Sequence, residues 1–459
     1  MRAQVPCFSQ EMRTAGVLLP GKPRPSVKTL ALFFLIFLTA LPMPTFFSVT
    51  STALAETAAP ASTLIEWKEA GVAHSALWRS ERGAAPPRRI VEADDTMAAD
   101  TAYRLACEGT GLLWRGDFQN ARQMVQALAR RIDKPPKASK LARVATKKAA
   151  DNAVSGVPAG QDFHLHRQAQ SQRARVLGMV LIEFGADYAV DLRRAPDAKQ
   201  ACAEAWGAPG DVAQPSVASL RELMGVISAH EWRKKGVEIA ALGKAPNNRI
   251  HPHYGVFSPV RGEYVDLVAN APLPASPSSK FVAFDIGTGT GVLSAVLALR
   301  PEVDQVVATD LDPRALECAR ENIYRLRLPN PVKVMQADLY PEGLASVIVC
   351  NPPWLPARPG SPLEGAVYDE DSRMLLGFLK GLPAHLAPGG EGWLILSNFA
   401  EQLGLRTRAE LLAAIKSSGL KVLGRIDAKP EHPKALDASN PLHKARAAEV
   451  TSLWRLGAA

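Results

Sequence analysis

The feature that most constrains this chain is Asp285-Ile286-Gly287-Thr288-Gly289-Thr290-Gly291. An apolar run, FVAFDI over 281–286, stops at three glycines set at alternate positions, and a helical run, VLSAVLAL, begins straight after them. Glycine permits the tight turn and lets a ligand approach bare backbone. The helix start adds unpaired N–H groups and the positive end of a dipole. Strand, glycine turn and helix in that order are the opening of a parallel α/β sheet.

The rest of the C-terminal half extends the pattern. Strand-like runs follow at QVVATD (305–310), VKVMQAD (332–338), SVIVCN (346–351), GWLILSN (392–398), LKVLGRID (420–427) and EVTSLWRL (449–456). Helical runs separate most of them, the first beginning at Pro313, with others over about 371–387 and 406–418. The spacing predicts a seven-stranded, doubly wound α/β sheet over residues 250–459. Its ligands lie at the C-terminal strand ends. No helix separates the last two strands, so the final strand pairs antiparallel. Asp310 and Asp338 each close a strand; the first is placed to accept from ribose hydroxyls and the second from an adenine amino group. A nicotinamide fingerprint needs a third glycine at position 292, which is Val292, and this argues against the alternative of a nicotinamide oxidoreductase.

The second anchor is Asn351-Pro352-Pro353-Trp354, at the end of the fourth strand. An exocyclic amine or amide nitrogen is a poor nucleophile, because its lone pair is delocalised into a π-system. The Asn351 side-chain oxygen and the Pro352 carbonyl can accept its two protons and aim the lone pair at an electrophile. Pro352 and Pro353 stiffen the loop, and Trp354 offers a face for a flat acceptor. With this box after the glycine loop, residues about 250–456 resemble the class I S-adenosylmethionine-dependent methyltransferases of the small-domain type. That group includes release-factor glutamine and ribosomal RNA guanine methyltransferases. The resemblance implies S-adenosylmethionine as cosubstrate, held by Asp285, Gly287, Thr288, Gly289, Gly291, Asp310 and Asp338, with catalysis at Asn351, Pro352, Pro353 and Trp354. It also implies acceptor-side roles for Phe257, Pro259 and Arg261, in the segment Tyr254–Tyr264 ahead of the first strand. Glutamine enzymes usually carry Tyr where Trp354 stands and different wording around Arg261. The expected acceptor is therefore a nucleic-acid base, RNA first, with a glutamine of a release factor or ribosomal protein as the alternative. A non-catalytic regulator that binds the cosubstrate is a further alternative, and the complete Asn351 box argues against it.

Upstream, residues 62–129 hold a few strand-like runs (63–67, 89–91) and a helix capped by Asp117, with Phe118, Ala121, Met124, Val125 and Leu128 on one face. Residues 130–150 read as a basic linker. Residues 151–249 read as a helical accessory or substrate-recognition region, with helical character over 163–186 and 216–235 and Ser216 as a cap. The region ahead of the sheet is thus expected to be mainly helical. Residues 30–41 (LALFFLIFLTAL), preceded by basic residues and followed by Ala53-Leu54-Ala55, make the first 60 residues signal-like or the product of a mis-assigned start. The cosubstrate favours the cytoplasm, with no stable membrane partner. The formal charge of +9 is local: residues 1–60 carry +3 and 130–148 carry +7, leaving the remainder near neutral. Basicity therefore says little about a nucleic-acid surface. Five scattered cysteines without a CxxC exclude a disulfide scaffold and a cysteine zinc site. The pairs His164/His166 and His251/His253 lack partners in ligand spacing, so no metal is expected. His432, Asn440 and His443 lie between the last two strands, and Glu231–Lys235 ends a helix; both are candidate substrate-binding segments.

Overall fold

The computed structural model describes residues 63–134, 160–210, 214–275, 279–360, 362–430 and 442–459. The signal-like segment, most of the basic linker, His432 and Asn440 lie outside them. Among the described residues no helix is long and apolar enough to cross a membrane.

The region ahead of the glycine loop is an α/β sheet, not the mainly helical domain that the sequence suggests. Strands β1 (Leu64–Glu69), β2 (Val72–Arg79), β3 (Arg89–Ala93), β4 (Thr110–Trp114), β5 (Val180–Phe184) and β6 (Ser216–Ser219) form one sheet in the order β1-β2-β6-β5-β4-β3. Segments 62–129 and 151–249 both contribute strands to it. The helices are α1 (Ala99–Cys107), α2 (Phe118–Ile132), α3 (Gln161–Leu177), α4 (Lys199–Trp206) and α5 (Leu220–Lys235). Alternation decides which way each strand residue faces. Leu112, Trp114, Ile182 and Phe184 pack on the helices, while Leu113, Leu181 and Val217 face Ile65 and Trp67. With both faces largely buried, β4 and β5 are mostly apolar, Glu183 of β5 being the charged exception, and such short runs resemble helix segments in sequence. Asp117 caps α2 as expected, accepting from Gln119 N at 2.8 Å. Ser216 instead opens β6, and Ser219 caps α5 by accepting from Glu222 N at 3.0 Å.

A two-residue ribbon, β7 (Val237–Glu238) with β8 (Arg249–Ile250), leads to the second sheet. Its strands are β9 (Val282–Ile286), β10 (Gln305–Asp310), β11 (Val332–Gln336), β12 (Ala345–Cys350), β13 (Leu386–Ser397), β14 (Leu420–Ala428) and β15 (Thr451–Ala458). Their order is β11-β10-β9-β12-β13-β15-β14, parallel except that β15 runs antiparallel to both its neighbours. Helices α6 (Glu263–Asn270), α7 (Val292–Ala298), α8 (Pro313–Leu326), α9 (Arg373–His385) and α10 (Arg408–Ser417) accompany it. Pro313 begins α8 with Asp312 as its cap, and Thr407 with Glu410 forms a capping box on α10. The seven-stranded sheet expected from the sequence is therefore the one observed.

The two sheets meet through charged and aromatic groups. Arg233 of α5 donates to both carboxylate oxygens of Glu321 on α8 at 3.0 Å, and Arg314 pairs with Glu81 at 3.2 Å. The Tyr254 hydroxyl donates to Glu222 at 3.0 Å. Phe163 of α3 packs with Leu355, Tyr368 and Phe399 of the second sheet's loops.

The first sheet's core has a measurable consequence. Leu181 and Leu113 are fully buried, so Leu181→Ala should cost about 2–5 kcal/mol in denaturant unfolding, as for other large-to-small core changes. A mainly helical region with an exposed Leu181 would lose well under that.

Candidate active site

The glycine loop takes the conformation its composition allows. Gly287, Gly289 and Gly291 have φ of 71°, 55° and 81°, in the left-handed region. Gly291 lies close to Ala319 of α8: a Cβ there would sit 3.2 Å from its Cα. At Gly289 a Cβ would meet nothing within 4 Å, so the loop's apex faces open space where a ligand can lie against backbone.

Asp285 holds the loop from beneath. It is 1% exposed, and its Oδ2 accepts from Thr288 Oγ1 (2.7 Å), Ser294 N (2.9 Å) and Ser294 Oγ (2.6 Å). Thr288 is thus engaged in the loop's own support. Asp310, at the end of β10, lies beside the apex. Its Oδ2 accepts from Gly289 N at 2.9 Å and its Oδ1 from Asp312 N at 3.0 Å. Burial raises the pKa values of both carboxyls; the Asp310 charge pushes Asp285 the same way, and neither has a cationic partner among the described residues. Asp310 is only half-buried, so its carboxylate has room to accept from ribose hydroxyls as well. Asp338 is largely exposed and pairs with Arg373 at 3.3 Å. An exposed pair is worth about 0–1 kcal/mol, so Arg373 does not withhold Asp338 from an adenine.

Sheet pairing brings the second motif to the first. β9 and β12 are adjacent and parallel, with Ile286 opposite Cys350. The glycine loop and the Asn351 box therefore leave neighbouring strand ends, about 5 Å apart in the sheet. The Trp354 Nε1–H donates to Asn351 Oδ1 at 2.9 Å, which fixes the amide's orientation. The Arg261 guanidinium lies 5.0 Å over the Trp354 ring. It is itself held by Glu263 (2.6 Å) and Glu449 (3.1 Å), and Glu449 accepts from Ser397 Oγ at 2.8 Å. Arg261 thus buttresses one face of Trp354. Pro259 is buried and Phe257 half-buried in the same segment, which Tyr254 ties to α5 and Val256 ties to Ala315 and Cys318 of α8.

Several residues of the site carry no signal in the sequence. Asp369 follows the box by a long loop, yet its carboxylate accepts from Met374 N and Leu375 N at the start of α9. Arg406 reaches back so that its Nη2 donates to the Trp354 carbonyl at 3.5 Å. Glu449 precedes β15 and meets Arg261 across 188 residues. None stands in a motif: Asp369 is tied to the box by its own N–H, which donates to the Leu355 carbonyl at 2.9 Å, and the chain's return through β13 and β15 brings Arg406 and Glu449. Of the histidine pairs, His251 Nδ1 lies 2.6 Å from the Arg233 carbonyl and His253 Nε2 2.9 Å from Glu321. Both serve the junction between the sheets. Among the described residues no group of three or more His, Cys, Asp or Glu is placed to hold a metal.

Known proteins resemble this chain over the same region. Residues 247–409 match the family described as "Methyltransferase small domain". A release factor glutamine methyltransferase of Moorella thermoacetica is 38% identical over 125 residues, covering 26% of this chain and 44% of the relative. A second, of Cereibacter sphaeroides, is 30% identical over 159 residues, covering 32% and 55%. A tRNA1(Val) (adenine(37)-N6)-methyltransferase of Glaesserella parasuis is 36% identical over 83 residues, covering 17% and 35%. The chain thus spans about half or less of the length of these curated relatives. The solved ribosomal protein L11 methylase of Lactobacillus delbrueckii aligns with 47% of this chain and 89% of its own, at 14% identity and a TM-score of 0.31. With the glycine loop and the Asn351 box on adjacent strands of its seven-stranded sheet, the C-terminal part of this chain is a class I S-adenosylmethionine-dependent methyltransferase domain of the methyltransferase small domain family.

Proposed function

We propose that the protein transfers a methyl group to a planar NH2 nitrogen, and that its acceptor is a glutamine side-chain amide of a translation-related protein. The observation that carries the first part is the Asn351 carboxamide, locked by Trp354 at the strand end beside the glycine loop. The site fits the cosubstrate: the space at Gly289 admits a ligand, and Asp310 carries a buried carboxylate without a cation. When bound, S-adenosylmethionine supplies an electrophilic methyl group on a sulfonium centre.

The chain's own residues do the rest. The Trp354 N–H occupies one acceptor direction of Asn351 Oδ1, leaving the other for an acceptor N–H. The Pro352 carbonyl takes the second N–H. With both protons held, the nitrogen's lone pair points out of its π-plane toward the methyl group, which favours the pyramidal transition state. The methylated nitrogen is more acidic and releases its proton without a strong base. Arg261 covers one face of the Trp354 ring, so a flat acceptor stacks on the other.

The choice of acceptor rests on the relatives. Several are named release factor glutamine methyltransferases, and another is named a ribosomal protein uL3 glutamine methyltransferase. These support the glutamine amide over the RNA base expected from the sequence. A base amine is the second reading, favoured by the tRNA adenine relative. Either reading places the protein in the cytoplasm with its cosubstrate.

Asn351→Ala should leave cosubstrate affinity unchanged and lower kcat by about 100-fold or more, as for loss of one transition-state hydrogen-bonding group; steady-state kinetics beside calorimetric binding would show it. Cosubstrate affinity should also depend on pH. The Asp310 carboxylate must be ionised to accept from ribose, and burial raises its pKa. Affinity is therefore full at neutral pH and falls as acid is added, starting above the usual carboxylate range. Asp310→Asn should bind more weakly and flatten that part of the profile in calorimetry from pH 4 to 8.

A further inference from the structure

Gly287 differs from Gly289 in what lies beside it. A Cβ at Gly289 would meet open space, whereas a Cβ at Gly287 would collide with the Met374 Cε. Met374, the second residue of α9, thus lies against the bare backbone where β9 enters the glycine loop. Gly287 is glycine on two counts, its φ of 71° and this close approach. On the other side, Gly287 N and Thr288 N donate to the Thr309 carbonyl of β10 at 2.9 Å. The loop's first turn therefore sits between β10 and the start of α9.

Asp369 fixes where Met374 stands. It is 8% exposed, and its carboxylate accepts from Met374 N through both oxygens at 3.0 Å and from Leu375 N at 3.1 Å. Unpaired N–H groups and the helix dipole favour an anion there. Burial raises the Asp369 pKa, and these N–H groups oppose the rise. The backbone of the same residue belongs to the acceptor side: its N–H donates to the carbonyl of Leu355, the residue after Trp354, at 2.9 Å. Between Asp369 and Met374 the chain is strained. Asp371 and Ser372 have φ of 56° and 54°, two consecutive left-handed residues without a glycine. Each costs about 1–2 kcal/mol, and such residues persist where their surroundings hold them. The Leu355 clasp holds one end. The other is held by α9, whose Leu375, Phe378 and Leu379 are buried in the sheet's core.

We infer that Asp369 is a positioning residue of the cosubstrate site: by capping α9 it sets Met374 against Gly287 and so ties the glycine loop to the acceptor box. The inference holds whichever acceptor the protein uses. The carboxylate is turned to α9 and acts on the loop through Met374. Without it the first turn of α9 loses its cap, the strain at Asp371 and Ser372 relaxes, and Met374 leaves Gly287. A loop of three glycines then regains backbone freedom that cosubstrate binding must remove again, and affinity falls.

The test is calorimetric binding of S-adenosylmethionine to the full chain, with no acceptor present. The variants are Asp369→Ala, Asp369→Asn, Met374→Ala and the double Asp369→Ala/Met374→Ala, each also followed by thermal unfolding. Asp369→Ala and Met374→Ala should each weaken affinity by about fivefold or more, the low end of a coupling between sites. The double variant should bind no more weakly than the weaker single one, because both changes break one connection. Asp369→Asn keeps an oxygen for the Met374 N–H and caps a helix about as well, so it should stay within about twofold of the unaltered protein. A lowered unfolding temperature with unchanged affinity in Asp369→Ala would overturn the inference, as would additive losses in the double variant. If Asp369→Ala does not fold, Met374→Ala and Asp369→Asn decide. Unchanged affinity in the first, or a fivefold loss in the second, would overturn it.

Discussion

The parallel pairing of β9 with β12 is the constraint on which the site depends. Ile286 and Cys350 are partners in register, so the residues after them, Gly287 and Asn351, begin side by side. A slip of one residue would turn every side chain of either strand to the opposite face. Burial forbids it: β12 is buried along its whole length, and Asp285 must point beneath the loop to hold Thr288 and Ser294. The same register that fills the core with Phe284, Ile286 and Ile348 also sets the glycine loop against the acceptor box.

A second tier of polar contacts ties the upstream sheet to that loop. Asn322 of α8 is fully buried; its Nδ2 donates to the Thr290 carbonyl at 3.1 Å, and its Oδ1 accepts from His251 N at 2.7 Å. The neighbouring Glu321 accepts from Arg233 of α5 and lies against His253. One turn of α8 therefore touches the glycine loop on one side and the upstream domain on the other. Buried polar groups tolerate little displacement, because each lost partner costs about 1–3 kcal/mol. The upstream sheet is thus built into the support of the cosubstrate loop.

The C-terminal fold was legible in the sequence because its signals are local. Asp285 to Gly291 shows a strand, a turn and a helix start within a few residues, and Pro313 marks a helix start without tertiary help. The upstream sheet was legible only in part: the strand-like runs at 63–67 and 89–91 are β1 and β3, whereas β4 and β5 are short, largely apolar runs beside long helices and carry little alternation once both faces are buried. The site divides in the same way. Asn351 and Trp354 stand together in sequence, but the bond between them reverses a simple expectation: Asn351 Oδ1 is already half engaged, and Trp354 both fixes it and presents a ring. Arg261 stands out in its own segment, but nothing near it in sequence signals that Glu449, 188 residues away, holds it. Arg406 belongs to no motif, and only the chain's course after β13 brings it to the Trp354 carbonyl.

The proposed reaction passes a methyl group at this box to a glutamine amide. The most direct measurement follows tritiated methyl transfer from S-adenosylmethionine into an extract of cells lacking the gene, divided between protease and ribonuclease digestion. The account predicts counts released by protease and recovered in a methylated glutamine residue. Counts released as methylated nucleosides by ribonuclease, or no transfer by a protein that binds the cosubstrate, would contradict it.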